Sequence, residues 1–186
     1  MYKDQDLIFF DFETTGIRTS CDDDPDYPIE IGMVFCDDKL LIKDLFQSYI
    51  LWPWMEQLDK WPSAYDDAYA IHKIELNKIV EYGLKPEELT KDMNILIDKN
   101  CYKNRKPTLV SDNAYFDTFM MHRLYNRHGD FPFHYTTWDI NILYVPLGVK
   151  KARTHTHSAL EDALNMHHRT IRALEKINYF GLIKNI

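Results

Sequence analysis

Near its N-terminus the chain reads Leu7-Ile8-Phe9-Phe10-Asp11-Phe12-Glu13-Thr14-Thr15-Gly16, an apolar run followed by two alternating acids and a turn. Four consecutive apolar residues predict a strand that is buried on both faces of a sheet. Asp11 and Glu13 are two positions apart, so their carboxylates project to the same side of an extended chain. Two such carboxylates repel each other and are costly to desolvate, so the pair predicts a bound cation. Oxygen ligands suit Mg²⁺ or Mn²⁺.

The composition predicts one globular domain over residues 1–186. The chain is 45% hydrophobic and 27% charged, and it is long enough to build a sizeable core. Its three cysteines are scattered without a CxxC pair, which favours a reducing compartment over a disulfide framework or a zinc ribbon. The sequence has no signal-peptide pattern and no membrane-spanning run, so we expect a cytoplasmic protein that does not bind a membrane.

The net charge is acidic, at −7, from 29 acids against 22 bases. This balance disfavours sequence-independent electrostatic binding to long duplex nucleic acid. Two divalent ions would offset four of these charges. The acidity therefore favours a short or single-stranded substrate, if the substrate is a nucleic acid.

The rest of the chain predicts an α/β fold. Strands over Pro28–Phe35 and Leu40–Ile50, joined by Asp37-Asp38-Lys39, would form an antiparallel meander with the first strand. Later segments alternate helix and strand, which predicts two further parallel strands and a five-stranded mixed sheet flanked by helices. The predicted later elements are helices at Ser63–Ile71, from Pro86, at Ala114–Arg127 and at about Ala159–Ile177, and strands at Thr108–Ser111 and Thr136–Ile142.

A third acid is expected at the same edge of this sheet. In such folds the reactive site lies beyond the carboxyl ends of the central strands. Asp11 and Glu13 fall there, and Asp117 follows one turn into the helix after the fourth strand.

The start of the last helix brings a histidine and a fourth acid together. Ser158 and Glu161 match a capping box, which makes His157 the N′ residue and Asp162 the N4 residue. These two positions meet in a hydrophobic staple, so His157 and Asp162 are predicted to lie close together. A carboxylate on a rigid helix is suited to bind a metal ion, and a histidine on the chain just before that helix is suited to act as a mobile base.

Three segments resemble the exonuclease motifs of the DEDDh family, which includes the epsilon proofreading subunit, RNase T and oligoribonuclease. Their order and spacing match from Leu7 to about Leu174, and the histidine five residues before Asp162 is typical of this branch. The alternative tyrosine branch would place a tyrosine where Ser158 stands. Asp112 departs from the epsilon-like pattern, which often has histidine there, and this leaves the substrate preference open. The segments are Asp11-Phe12-Glu13-Thr14-Thr15-Gly16, Asn113-Ala114-Tyr115-Phe116-Asp117 and His157-Ser158-Ala159-Leu160-Glu161-Asp162-Ala163.

The resemblance implies a ribonuclease H-like fold and hydrolysis of phosphodiester bonds from a 3′ end, with release of nucleoside 5′-monophosphates. It implies two Mg²⁺ or Mn²⁺ ions, both bridged by Asp11. Glu13 and Asp162 would complete the site of the ion that activates water, Asp117 would act on the second ion through water, and His157 would be the general base. The residues implied around the 3′-terminal nucleotide are Thr14, Thr15, Gly16, His72, Asn113 and Phe116.

Several alternatives remain open at this point. DNA is the favoured polymer, but an RNA-trimming enzyme like RNase T or oligoribonuclease fits the same motifs. A proofreading subunit that docks on a polymerase is a further hypothesis, as is a homodimer in which the basic segment Lys150, Lys151 and Arg153 serves the partner's site. A phosphatase with Asp11 as nucleophile would leave His157 and Asp162 unexplained.

Overall fold

The computed structural model describes residues 5–17, 26–55, 65–125, 130–149 and 157–179, with side chains to 177. The predicted basic segment Lys150, Lys151 and Arg153 lies outside these residues. Among the helices that are described, none is long and apolar enough to cross a membrane.

A five-stranded mixed sheet forms the centre of the described structure, as the sequence predicts. Its strand order is β3-β2-β1-β4-β5. The pairs β1/β2 and β2/β3 are antiparallel, whereas β1/β4 and β4/β5 are parallel, so the predicted meander with two parallel strands is confirmed. The strands are β1 Leu7–Thr14, β2 Pro28–Cys36, β3 Ile42–Tyr49, β4 Thr108–Ser111 and β5 Trp138–Asp139.

Six helices accompany this sheet among the described residues. The long ones begin where the sequence predicts, at Pro86, Ala114 and Ala159. The predicted strand over Thr136–Ile142 is wrong at both ends, since only Trp138 and Asp139 form a strand. After this strand, the Asp139 carboxylate accepts the Asn141 N–H at 3.0 Å and turns the chain into a short helix. The helices are α1 Tyr65–His72, α2 Leu76–Tyr82, α3 Pro86–Asn100, α4 Ala114–Tyr125, α5 Asn141–Tyr144 and α6 Ala159–Tyr179.

The first strand is buried on both of its faces. Ile8, Phe10 and Phe12 pack into a core shared with α3 and α4. Leu7 and Phe9 point to the opposite side and pack into a second core with α5 and α6. Because β1 has hydrophobic layers above and below it, its carboxyl end is held rigidly, and this is where Asp11 and Glu13 lie.

Candidate metal centre and nucleotide pocket

Three carboxylates meet at the carboxyl end of β1. Asp11 and Glu13 come from the strand and Asp162 from the first turn of α6. One oxygen from each of the three lies within 4.8 Å of the others, and all three residues are half-buried. Two oxygens that bind one Mg²⁺ lie up to about 4.2 Å apart, since each bond is about 2.1 Å long. Small side-chain movements would therefore be enough to let the three oxygens bind one divalent ion.

The electrostatics of this cluster favour a cation. Burial raises the pKa of Asp11 well above its ordinary value, and the charges of Asp117, Glu13 and Asp162 raise it further. Burial, with Asp162 next, raises the pKa of Glu13 to about 8. These carboxylates destabilise each other when they are all ionised, and a divalent ion would relieve that repulsion.

Asp117 lies beside the three-oxygen cluster and does not belong to it. Burial raises the pKa of Asp117 to about 7, although the Ser111 hydroxyl donates a hydrogen bond to its carboxylate and opposes the shift. The Asp117 N–H donates to the Asn113 carbonyl at 3.0 Å, which fixes the carboxylate at the start of α4. Its charge is the largest contribution from a neighbouring group to the raised pKa of Asp11, so the two carboxylates face the same space.

The N-terminus of α6 is held by a residue that sequence reasoning did not identify as functional. Glu30 of β2 accepts the Ala159 N–H at 2.9 Å. The Gln47 amide donates to Glu30 at 2.8 Å and to the Ser158 hydroxyl at 3.1 Å. Glu30 is buried in a strand that is otherwise apolar or small. A buried acid in such a strand needs a partner, and this signal was available in the sequence.

His157 lies immediately before this helix start in an uncommon backbone conformation. Its φ is +51°, in the left-handed region, and its side chain is half-buried. The Asp162 N–H donates to the Ser158 carbonyl at 3.0 Å, so Asp162 is fixed within the first turn. His157 therefore lies, in this left-handed conformation, directly before the helix that carries Asp162.

Gly32 allows α6 to approach the sheet closely. It pairs with Asp11 across β1 and β2. A Cβ atom added at Gly32 would overlap backbone atoms of Ala159 and Leu160, which cannot rotate away. The absence of a side chain here thus sets the distance between the strand that carries Asp11 and the helix that carries Asp162.

Gly32→Ala is expected to move α6 away from β2 and to lower the free energy of unfolding by about 3 kcal/mol, since overpacking against backbone has no cheap relaxation. Mg²⁺ should then raise the unfolding temperature of the variant less than that of the original chain. Urea unfolding measures the loss of free energy, and thermal unfolding with and without Mg²⁺ measures the change in stabilisation by the ion. Gly148→Ala is the matched control, because a Cβ there meets no atom within 4 Å and adds only the strain of a φ of +59°. Equal losses at the two glycines would contradict this account.

A cavity of 480 Å³ opens beside the carboxylates. Its lining includes five of the residues that the sequence singled out, one of them a carboxylate of the cluster. These are Glu13, Thr14, Gly16, His72 and Phe116. Asn113 is exposed and Thr15 is buried, and neither lines the cavity.

Thr15 and Gly16 shape the wall of this cavity. The Thr15 hydroxyl lies 3.3 Å from an Asp26 carboxylate oxygen and accepts the Tyr27 N–H at 2.9 Å, so it ties the end of β1 to the start of β2. A Cβ atom at Gly16 would overlap the Asp26 carboxylate. Thr15 therefore acts through the position of this turn, since its own side chain is engaged.

His72 offers a buried donor at the same cavity. Burial, with the charge of His157 next, lowers its pKa to about 4. Its Nδ1 accepts the Ile74 N–H at 2.9 Å, which places the proton of the neutral ring on Nε2. That Nε2 is buried and makes no hydrogen bond of good geometry among the described residues, although the nearby Thr14 backbone partly opposes the lowering of the ring's pKa. A buried donor of this kind is suited to a ligand acceptor.

Asp112, the position that departs from the epsilon-like pattern, pairs with Arg169 of α6. The Arg169 Nη1 lies 2.6 Å from an Asp112 carboxylate oxygen, and its guanidinium lies 3.8 Å above the Tyr144 ring. The Asn141 side-chain amide also donates to the Asp112 carbonyl. This largely buried ion pair joins the loop before α4 to the helix that carries Asp162.

No protein-family model matches the chain, and no curated protein matches it in sequence. Solved structures match it at 13% to 20% identity, which is evidence for the fold. The zinc-bound E. coli ExoI–ssDNA complex matches with a TM-score of 0.67 and 14% identity, over 94% of this chain and 42% of that one. The chain thus spans less than half of ExoI.

Two further solved structures match over most of both chains. The nuclease domain of 3′hExo, described as a DEDDh family member bound to rAMP, has a TM-score of 0.65 and 20% identity, over 94% of this chain and 93% of that one. A 3′-exonuclease structure that concerns 3′-end recognition of the histone mRNA stem-loop has a TM-score of 0.66 and 18% identity, over 94% and 84%. These likenesses confirm the ribonuclease H-like fold.

Proposed function

We propose that the chain is a metal-dependent 3′–5′ exonuclease of the DEDDh type. It would hydrolyse phosphodiester bonds at the 3′ end of single-stranded or frayed nucleic acid and release nucleoside 5′-monophosphates. The observation that carries this proposal is the meeting of oxygens from Asp11, Glu13 and Asp162 within 4.8 Å. The adjoining cavity of 480 Å³ has room for a terminal nucleotide. The fold shared with ExoI and with the 3′hExo nuclease domain supports the same reading.

We infer that the four carboxylates would hold two divalent ions, Mg²⁺ or Mn²⁺. Asp11, Glu13 and Asp162 would hold one of them, and Asp11 with Asp117 would hold the other. When bound, such a pair supplies an activated water and stabilises charge on the leaving oxygen. The fit rests on the chemistry of the side chains, which are hard oxygen donors whose mutual repulsion raises their pKa values.

The chain's own residues supply the remaining chemistry. His157 would take the proton from the attacking water, since it lies directly before the helix that carries Asp162. His72 would donate its Nε2–H to an oxygen of the terminal nucleotide. Phe116, half-buried in the cavity wall, would pack against the base. Gly16 would let the substrate approach the backbone closely.

An RNA-trimming enzyme is the second candidate. It is favoured by two of the matched structures, one with rAMP and one concerned with a histone mRNA stem-loop. The acidic charge and the motifs suit DNA equally well, and a 2′-hydroxyl can be recognised by backbone groups alone.

A time course on single strands tests the proposal. DNA and RNA of one sequence, labelled at either end, are incubated with Mg²⁺, Mn²⁺ or EDTA. Stepwise shortening from the 3′ end that EDTA stops is the expected result, and the ratio of the DNA and RNA rates assigns the polymer. No shortening of either strand with metal present would contradict the proposal.

A further inference from the structure

Ring side chains follow one side of α4 away from the nucleotide cavity. Tyr115 is 73% exposed, Phe119 is half-buried with part of its ring against the core, and His122 is exposed. Their spacing of four and three residues places them on one side of the helix. Phe116, which lines the nucleotide cavity, is adjacent to Tyr115 in sequence. The row of rings therefore begins in the same turn of α4 as a residue that lines the nucleotide cavity.

The same row leads to a second cavity, of 650 Å³, whose lining is cationic and aromatic. The His122 ring stacks on Phe131, with 4.1 Å between centroids and 19° between planes. Tyr135 is 91% exposed beside His134, at 4.3 Å between ring centroids. Arg105 and Lys106 complete the lining, and no acid is among the described residues that form it.

The cationic loop and the aromatic segment are joined to each other. Lys106 Nζ donates to the Phe131 carbonyl at 2.6 Å, so the loop before β4 and the segment that carries Phe131, His134 and Tyr135 form one surface. Exposed rings offer stacking platforms for bases, and neighbouring cations offer contacts to phosphates. A cationic and aromatic surface on a chain with a net charge of −7 suits a single-stranded polyanion.

We propose that this surface is the path of the single strand on the 5′ side of the terminal nucleotide. We call it the α4 path, and the inference rests on the proposed exonuclease function. Its defining residues are Tyr115, Phe119, His122, Phe131, Tyr135 and Arg105.

The α4 path has a length that can be compared with a nucleic acid strand. Gln5 lines the second cavity and Asp11 lies six residues further along the chain, which corresponds to about 20 Å in an extended strand. A strand with bases stacked about 3.4 Å apart covers that distance with about six nucleotides, and fewer suffice when it is extended. A dinucleotide reaches only the nucleotide cavity, whereas a 12-mer reaches the far cavity as well.

Binding of short and long oligonucleotides tests the α4 path. Fluorescein-labelled dT2 and dT12 are titrated with the chain in Ca²⁺, which keeps them uncleaved. Tyr135→Ala and Arg105→Glu should each raise the Kd for dT12 at least fivefold and lower the ratio of dT12 to dT2 affinity. Arg105→Glu should also flatten the salt dependence of dT12 binding. Tyr82→Ala and Lys78→Glu, exposed on α2 beside the opposite edge strand β3, are matched controls that should bind dT12 like the original chain.

Different experimental results would overturn the α4 path and the exonuclease proposal. Unchanged dT12 affinity in both variants, with 3′ shortening intact in the original chain, would overturn the α4 path and leave the exonuclease. Absence of shortening in the original chain, with dT12 binding that both variants weaken, would overturn the exonuclease and leave a single-strand binding surface. Weakening of dT12 binding by the α2 controls to the same extent would also overturn the α4 path.

Discussion

Asp11→Asn is expected to reduce 3′ shortening at least 10⁴-fold, because it removes the carboxylate shared by both proposed ion sites. The amide has nearly the shape of the carboxylate, so the packing around β1 should remain. The fold without metal should be at least as stable as before, since the variant removes a poorly solvated charge that its neighbours repel. Thermal unfolding with and without Mg²⁺ should show that the ion no longer stabilises the variant.

Asp92→Asn is the matched control for this variant. Asp92 lies exposed on α3, and the same chemical change there should alter neither the rate nor the stabilisation by Mg²⁺. Full activity of Asp11→Asn would refute the assignment of the metal centre. Loss of the fold itself, seen by circular dichroism, would mean that Asp11 has a structural role that its surroundings do not indicate.

His157→Ala is expected to lower kcat by about 10²- to 10⁴-fold, the usual contribution of a general base. The affinity for Mg²⁺ should change little, because the cluster of close oxygens is formed by Asp11, Glu13 and Asp162. Added imidazole should restore part of the rate by supplying a base to the empty space. Single-turnover rates and Mg²⁺ titrations measure the two quantities separately.

His168→Ala, an exposed histidine on α6, is the control for His157→Ala and should keep the full rate. A collapse of Mg²⁺ affinity in His157→Ala would show that the histidine supports the metal centre, and the proposed base would then be wrong.

The sequence predicted the parts of the molecule that depend on local pattern. The apolar run before Asp11 marks a doubly buried strand, and the i, i+2 spacing of Asp11 and Glu13 puts their carboxylates on one side. The start of α6 at Ala159 follows from the polar residues before its apolar stripe. These features need only neighbouring residues, so a pattern along the chain is enough to find them.

Contacts between distant parts of the chain that lie outside the three family motifs were not predicted. Glu30 and Ala159 are 129 positions apart, and no local signal joins a buried acid in β2 to the first N–H of α6. The pair of Asp112 and Arg169 spans 57 positions and gives a structural role to a residue that stood out only as a departure from a motif. The strand over Thr136–Ile142 was overestimated because the Asp139 turn competes with strand-forming residues.

The left-handed backbone at His157 has a consequence for redesign of the chain. A φ of +51° costs a residue with a Cβ roughly 1 kcal/mol or more, whereas glycine adopts it freely. A redesign that optimises folding stability alone would therefore replace His157 by glycine and discard the proposed base. At this position the proposed chemistry and thermal robustness make opposite demands, so a stabilised form of the chain should be sought by changes elsewhere.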